Sequence, residues 1–309
     1  MSRELNVSVI SARPTAADDD VKSVIAFWTK QIDQVVPDRP DLIALPEVSE
    51  LCEAAQMEPL VESCPRHDAQ LLEYFSGVAR SRETWLALPT LRPAENGRVY
   101  NSIRLLDRRG QVHGTYDKNH LTIGEIEAGI ASSDRAEVIE TEFGRVAGVI
   151  CFDLNFEPLL QKYAPQKPDL VLFCSMYHGG LMQQIWAYRC RAHMVAAISG
   201  VPGGILSPIG EQLANVTNYT NHVTQRINLD CCVAHFDYHF EKLAALKHKY
   251  GPDVVIHDPG KLGSVLITSR SQRATVRQMV EEFEIELLDA YFARAMGVRE
   301  QELRNLNPV

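Results

Sequence analysis

"VAGVICFDLNFEPLL", residues 146–160, is an apolar run that stops at Cys151 and then turns acidic at Asp153 and Glu157. A short apolar run closed by a turn signal reads as a buried strand, here over 146–150. That leaves Cys151 at the strand's carboxyl end, either as a packed thiol or as a nucleophile at the mouth of a site. Open α/β sheets usually place their functional groups just beyond strand ends of this kind.

The rest of the chain repeats the pattern. "NVSVISA" alternates as a strand, and "DDD" at 18–20 offers N-caps for a helix whose apolar face is Val21, Val24, Ile25, Trp28, Ile32, Val35 and Val36. "DLIALPE" (41–47) is a short strand stopped by Pro46, with Glu47 just past its end. A helix near 69–82 follows, then strands at 84–90 and 101–107, with "VHGTYDKNHL" beyond. After strand 146–150 come a short helix past Pro158, strand 169–175 and a helix from about 181 to 198. Strands through "GVPGGILSPIGEQLANV" and "TQRINLD", a helix near 239–249, and strands "DVVIH" and "GSVLITS" complete the series. The stretch from 274 to 303 reads as helical and charged. This alternation predicts an α/β domain over 1–275 with a helical extension over 276–309, packing on the domain or on a neighbouring subunit.

Composition narrows the function. The 309 residues are 45% apolar and 23% charged, the balance of a soluble globular chain. The net charge of -9 is spread without a basic stripe, so neither nucleic acid nor an anionic membrane is an expected partner. No stretch approaches the ~20 apolar residues of a membrane span, and "MSRELNVSVISA" runs into a strand rather than a signal peptide. A cytoplasmic location is the expectation. Cysteines 52, 64, 151, 174, 190, 231 and 232 form no CxxC pair and fit reduced thiols.

Three chemically complementary residues follow three separate strands: Glu47 in "LIALPE", Lys118 in "TYDKNHL" and Cys151 in "GVICFD". A carboxylate, an ammonium and a thiol converging there would supply a base, an electrostatic stabiliser and a nucleophile for acyl transfer. A free thiol, with pKa ~8.5, needs either a base or a cation beside it, and Glu47 and Lys118 could provide one each. The backbone N–H of Phe152 is a candidate second donor to an oxyanion.

These residues, in this order, resemble the nitrilase superfamily of carbon-nitrogen hydrolases. The resemblance rests on "LPE", "NG..YNS" at 96–102, "Y.K.HL" at 116–121, "C.D..F" at 151–156, "PDL" at 168–170, "W....RA" at 186–192 and "SP.GE.LA" at 207–214. It implies a four-layer αββα sandwich, a Glu47, Lys118, Cys151 triad, no metal, no organic cofactor, and a homodimer or larger oligomer. The family's additional glutamate falls on Glu125, with Glu127 as the competing choice. The substrate implied is a small linear amide or ureido (N-carbamoyl) compound.

The chain also departs from the pattern. Asn155 stands where arginine is common, and Glu157-Pro158 inverts a usual Pro-Glu. Phe152-Asp153 replaces the Trp-Glu of true nitrilases, so amide or carbamoyl hydrolysis is favoured over nitrile hydrolysis. Asn155, Tyr177 and His178 are candidate pocket residues, and His193 falls where a charged residue at the site rim or a subunit interface is usual. Other readings stand beside these. Each triad residue alone could be structural, which would leave a non-catalytic binding or scaffold protein. His120 could suggest a cysteine–histidine hydrolase, but its position in "KNHL" fits a structural role better. "CCVAHFDYH" (231–239) offers Cys and His ligands for zinc, but lacks a second ligand cluster.

Overall fold

The computed structural model describes residues 2–14, 20–51 and 57–306. Asp18, Asp19 and Cys52 therefore lie outside the described residues. The chain forms two compact units, one over 5–227 and the other from 228 onward together with the first four residues.

In the first unit β1 (Glu4–Ile10) leads to α1 (Val21–Val35), capped by the Asp20 carboxylate on the Lys22 N–H. Then come β2 (Leu42–Ala44), α2 (Met57–Arg82), β3 (Trp85–Pro93), β4 (Val99–Leu106), β5 (Val112–Asp117) and α3 (Ile123–Glu127). The second half holds β6 (Ile139–Glu140), β7 (Arg145–Ile150), α4 (Glu157–Tyr163), β8 (Leu170–Ser175), α5 (Leu181–Cys190), β9 (His193–Ile198), β10 (Gly204–Leu206), β11 (Gln212–Asn215) and β12 (His222–Asn228).

The strands form two six-stranded sheets, ordered β12-β1-β2-β3-β4-β5 and β11-β10-β9-β8-β7-β6. The centre of each is parallel (β1, β2 and β3 in one; β7, β8 and β9 in the other) and the flanking pairs are antiparallel. Apolar residues of α1 and α2, including Val24, Trp28, Leu71 and Phe75, pack on Ile43, Leu86 and Leu88 of the first sheet. Tyr163 of α4 and Trp186 of α5 lie edge to face on the second sheet's side, with the Tyr163 hydroxyl donating to Gly148 O at 3.0 Å. Between the sheets Gly148 faces Tyr116, and a Cβ there would come within 2.6 Å of it. Helix, sheet, sheet, helix is the expected αββα sandwich.

The second unit is a three-stranded antiparallel sheet, β13 (Cys231–His235), β15 (Ser264–Ser269) and β14 (Val254–His257), with α6 (Phe240–Tyr250), α7 (Val276–Glu282) and α8 (Leu288–Leu306). Leu246, Val265, Ile267, Met279 and Val280 form its core. Among the described residues no helix is long and apolar enough to cross a membrane.

Three elements differ from the sequence reading. The helix expected over 181–198 ends at Cys190, where Arg191 turns left-handed (φ 54°), and His193–Ile198 is a strand. A short apolar run such as "HMVAAI" carries no periodicity that separates helix from buried strand. His193, where altered contacts at the site rim or a subunit interface were expected, is buried in the second sheet. The helix read from 69 begins at Met57, its earlier turns disguised by Pro65 inside it. The C-terminal helical stretch is two helices, broken at Phe283–Leu287.

Candidate active site

Each candidate catalytic side chain is delivered by a strand end and a sharp turn. β2 ends before Pro46, which has no N–H to continue a ladder, and Glu47 follows with Val48 at φ 45°. Lys118 comes directly after β5, its N–H bonded to Asn101 O at 2.9 Å. Glu125 belongs to a capping box on α3, donating its N–H to Thr122 Oγ1 and accepting from the Thr122 N–H at 2.8 Å. Cys151 opens a 3₁₀ turn (Cys151–Asn155) after β7, at φ 48°. A positive φ is uncommon for a non-glycine residue, and backbone strain of this sort clusters at active sites.

The three charged groups meet in the interior. Lys118 is 1% exposed and its ammonium donates to Glu47 Oε1 at 2.7 Å and to both oxygens of Glu125 at 2.8 and 2.9 Å. Asn101 Nδ2 donates to Glu47 Oε1 at 2.8 Å and to Glu125 Oε1 at 2.9 Å, and the Met176 N–H donates to Glu47 Oε2 at 3.0 Å. Burial opposes charging Lys118, but Glu47, Cys151 and Glu125 outweigh it and hold the ammonium protonated above its usual range. For Glu125, burial works against ionisation and Lys118 more than offsets it, so its carboxyl sits below the usual value. Burial pushes the Cys151 thiol up to about 12, with Glu47 adding to the rise and Lys118 opposing it. The resting thiol is protonated and within reach of the Glu47 carboxylate and the Met176 N–H.

A second hub fixes the nucleophile turn. Asp153 is fully buried and accepts from Tyr116 Oη at 2.8 Å, Ile150 N at 3.1 Å and His120 N at 2.7 Å. It thereby ties the start of the Cys151 turn to β5 and to the loop after Lys118. His120 also faces Asp153 through Nδ1 at 3.2 Å and stacks on Phe156, with ring centroids 4.0 Å apart. That is the work of a brace.

The remaining sequence candidates divide. Glu125 meets Lys118, whereas Glu127 is exposed. The Phe152 N–H lies in the first turn of the 3₁₀ segment, where leading amides lack intrahelical partners. Tyr177 turns its hydroxyl inward toward Asn155, near Cys151 and Lys118, while Asn155 spends its amide N–H on Phe152 O at 3.1 Å. His178 is exposed and accepts the Gly180 N–H at 3.1 Å, which shapes the entry to α5. Glu157 pairs with Arg189 at 3.0 Å on the surface. Sequence reasoning did not single out Asn101, Asp153 or the Met176 N–H. Asn101 and Asp153 were visible only as letters in "YNS" and "C.D..F". Among the described residues no three His, Cys, Asp or Glu side chains gather as a metal would require, the 231–239 run included.

A thiol at a strained strand end thus stands beside a buried carboxylate–ammonium–carboxylate cluster. The carbon-nitrogen hydrolase family model matches residues 7–213, about two thirds of the chain. The protein belongs to the carbon-nitrogen hydrolase family. Among curated relatives it is 26% identical over 168 residues to mouse deaminated glutathione amidase, covering 50% of this chain and 52% of that one. The chain spans about half or less of the length of the curated relatives it matches. Among solved structures, an amidase from Nesterenkonia sp. shares the fold at TM-score 0.65 and 16% identity, covering 80% of this chain and 96% of the other. The Caenorhabditis elegans NitFhit protein does so at TM-score 0.65 and 15% identity, covering 91% and 97%.

Proposed function

We propose that this protein hydrolyses the C–N bond of a small linear amide or N-carbamoyl compound through a thioester on Cys151. The observation that carries the reading is the single buried ammonium of Lys118 shared between Glu47 and Glu125 beside the Cys151 thiol. The thiol is protonated at rest, so attack requires a base at the moment of bond formation rather than a standing thiolate. Glu47 takes the thiol proton as sulfur bonds to the carbonyl carbon. The resulting oxyanion is met by Lys118 Nζ and the Phe152 N–H. Glu47 returns the proton to the departing nitrogen, the C–N bond breaks, and ammonia or an amine leaves a thioester. Glu47 then deprotonates water, which attacks the thioester and releases acid and thiol. Glu125 keeps the ammonium aimed by accepting two of its three N–H groups, and the third, held by Glu47 at rest, is released to the oxyanion as Glu47 takes the thiol proton.

A relative of the same fold supports this chemistry: a Nesterenkonia amidase reacts with acrylamide by Michael addition at its active-site cysteine. The substrate pocket is expected to include Asn155, Tyr177 and His178. We also expect a homo-oligomer, since α8 leaves Phe292, Met296, Val298, Leu303 and Leu306 exposed.

Iodoacetamide labelling with peptide mapping tests the assignment. Burial raises the Cys64 and Cys190 thiols to about 12 as well, and those of Cys174 and Cys232 also rise, so intrinsic acidity does not single out Cys151. A base beside it does. Cys151 should label at least about tenfold faster than the other thiols, and Glu47→Gln should remove most of that advantage. Equal labelling of all thiols would leave a binding or scaffold protein as the better account.

A further inference from the structure

The turn that delivers Glu47 is held by a buried carboxyl that the proposed chemistry does not use. β3 runs from Trp85 to Pro93, but its parallel partner β2 pairs with it only over Trp85–Ala87. Past that point the edge of β3 is completed by the chain that follows β2. Leu45 N donates to Ala87 O at 3.4 Å and Ser49 N to Pro89 O at 2.8 Å. At the next position a side chain stands in for a backbone carbonyl, because Leu91 N donates to Glu50 Oε1 at 2.7 Å. Leu91 is also the cross-strand partner of Asn101, whose amide holds both Glu47 and Glu125.

This segment needs holding. Val48 is β-branched and sits at φ 45°, a conformation that persists only where surroundings over-determine it. Trp28 Nε1 donates to Ser49 O at 2.7 Å and Ser49 Oγ to Pro46 O at 2.7 Å, and the Glu50–Leu91 bond closes the far side.

Glu50 itself is buried, and its Oε2 has no hydrogen-bond partner. The charged and titratable groups that face it, among the described residues, are Arg104 of β4 and Asp68 and Cys64 of α2. Arg104 commits Nη2 to Asp68 Oδ1 at 2.5 Å and Thr90 Oγ1 at 2.6 Å, and acts on Glu50 only as a nearby charge.

We propose that Glu50 is a positioning residue for Glu47, completing the free edge of β3 through Leu91 and so locking the strained turn that aims the base at Cys151. The proposal rests on the reading of Glu47 as the base. Desolvation at this site raises the Glu50 pKa to about 7, so the carboxyl is neutral in the folded protein at mildly acidic pH. A folded pKa above the ordinary carboxyl value means that the stability Glu50 contributes is complete below pH 4.5 and is lost as pH rises through about 7.

The test uses Cys151 labelling by iodoacetamide, which needs no known substrate, on the full chain with Glu47→Gln, Glu50→Gln and Glu50→Leu. Glutamine keeps an acceptor for the Leu91 N–H and cannot ionise, while leucine removes the acceptor. E50L should slow Cys151 labelling about tenfold, approaching E47Q, and E50Q should restore at least half the wild-type rate. In parallel, the thermal midpoint of wild type relative to E50Q should fall between pH 5 and 8. If E47Q slows labelling but E50L does not, or if E50Q is as slow as E50L, the positioning role is overturned while Glu47 stands. If E47Q labels like wild type, the reading of Glu47 as base falls instead. A pH-independent midpoint difference between wild type and E50Q would overturn the claim that Glu50 is held neutral.

Discussion

Residues 231–239 hold two cysteines, two histidines and an aspartate within nine positions, whereas Glu47, Lys118, Glu125 and Cys151 are spread over more than a hundred. The dense segment does no converging. His235 lies flat on Tyr291, with ring centroids 3.5 Å apart, and His239 Nε2 accepts the Glu286 N–H at 3.0 Å. Cys231 and Cys232 are consecutive on β13, so their side chains leave opposite faces. The dispersed set meets because the parallel strands β2 and β7 of the two sheets end beside one another, delivering Glu47 and Cys151, while the end of the antiparallel edge strand β5 and the short helix α3 bring Lys118 and Glu125 to the same place. Proximity along the chain favours local packing, and chemistry here comes from topology.

The strongest way to break that comparison is to remove the charge at the centre of the convergent cluster. Lys118→Met leaves Glu47 and Glu125 buried without their shared cation, and breaking a buried ion pair by deleting one partner costs about 3–5 kcal/mol. Amide turnover should fall by about a hundredfold or more through loss of the oxyanion donor. Urea unfolding and steady-state kinetics would show both. Activity within tenfold of wild type would mean that Lys118 is structural.

Asp153 tests the next layer out. Asp153→Asn turns a hydrogen-bond donor toward a site where Tyr116 Oη, Ile150 N and His120 N all donate. The turn should shift, lowering kcat by about a hundredfold, the cost of ångström-scale misplacement. KM should change little, because Asp153 faces away from solvent.

His193 carries a smaller, pH-dependent effect away from the chemistry. Desolvation lowers its pKa from 6.5 to about 4. A base depressed in the folded state contributes stability that is complete above pH 6.5 and is lost as pH falls toward 4, about 3 kcal/mol over the whole range. Comparing urea midpoints at pH 7 and 4.5 for wild type and His193→Leu should show wild type losing more on acidification. An equal loss would refute the assignment.

The strand-ending positions of Glu47 and Cys151 were legible because proline and the end of an apolar run mark a strand's limit in the letters themselves. Glu125 was legible only as a choice between two glutamates; the capping box turns it inward onto Lys118, while Glu127 is exposed. Asn101 was not legible as a site residue. A mid-strand asparagine bonds two carboxylates only if strand register puts it between them, and register is a long-range property. The strand at His193–Ile198 was missed for a related reason: a short, mostly apolar run looks alike in a buried helix and in a parallel sheet covered on both faces.

The smallest effect is expected where ligand-type residues are densest. Cys231→Ser with Cys232→Ala removes both thiols from β13, and shortening the partly buried Cys232 should cost about 1 kcal/mol or less. Turnover, Cys151 labelling and their response to added zinc should stay within about twofold of wild type, as expected for side chains outside the reacting cluster. A tenfold loss of turnover with labelling unchanged would break the comparison from its quiet side. It would mean that this segment contributes to substrate handling, and that convergence of the four dispersed residues is necessary but insufficient. A loss of labelling as well would have another cause, a general loosening of the fold, visible as a lowered unfolding midpoint in the same sample.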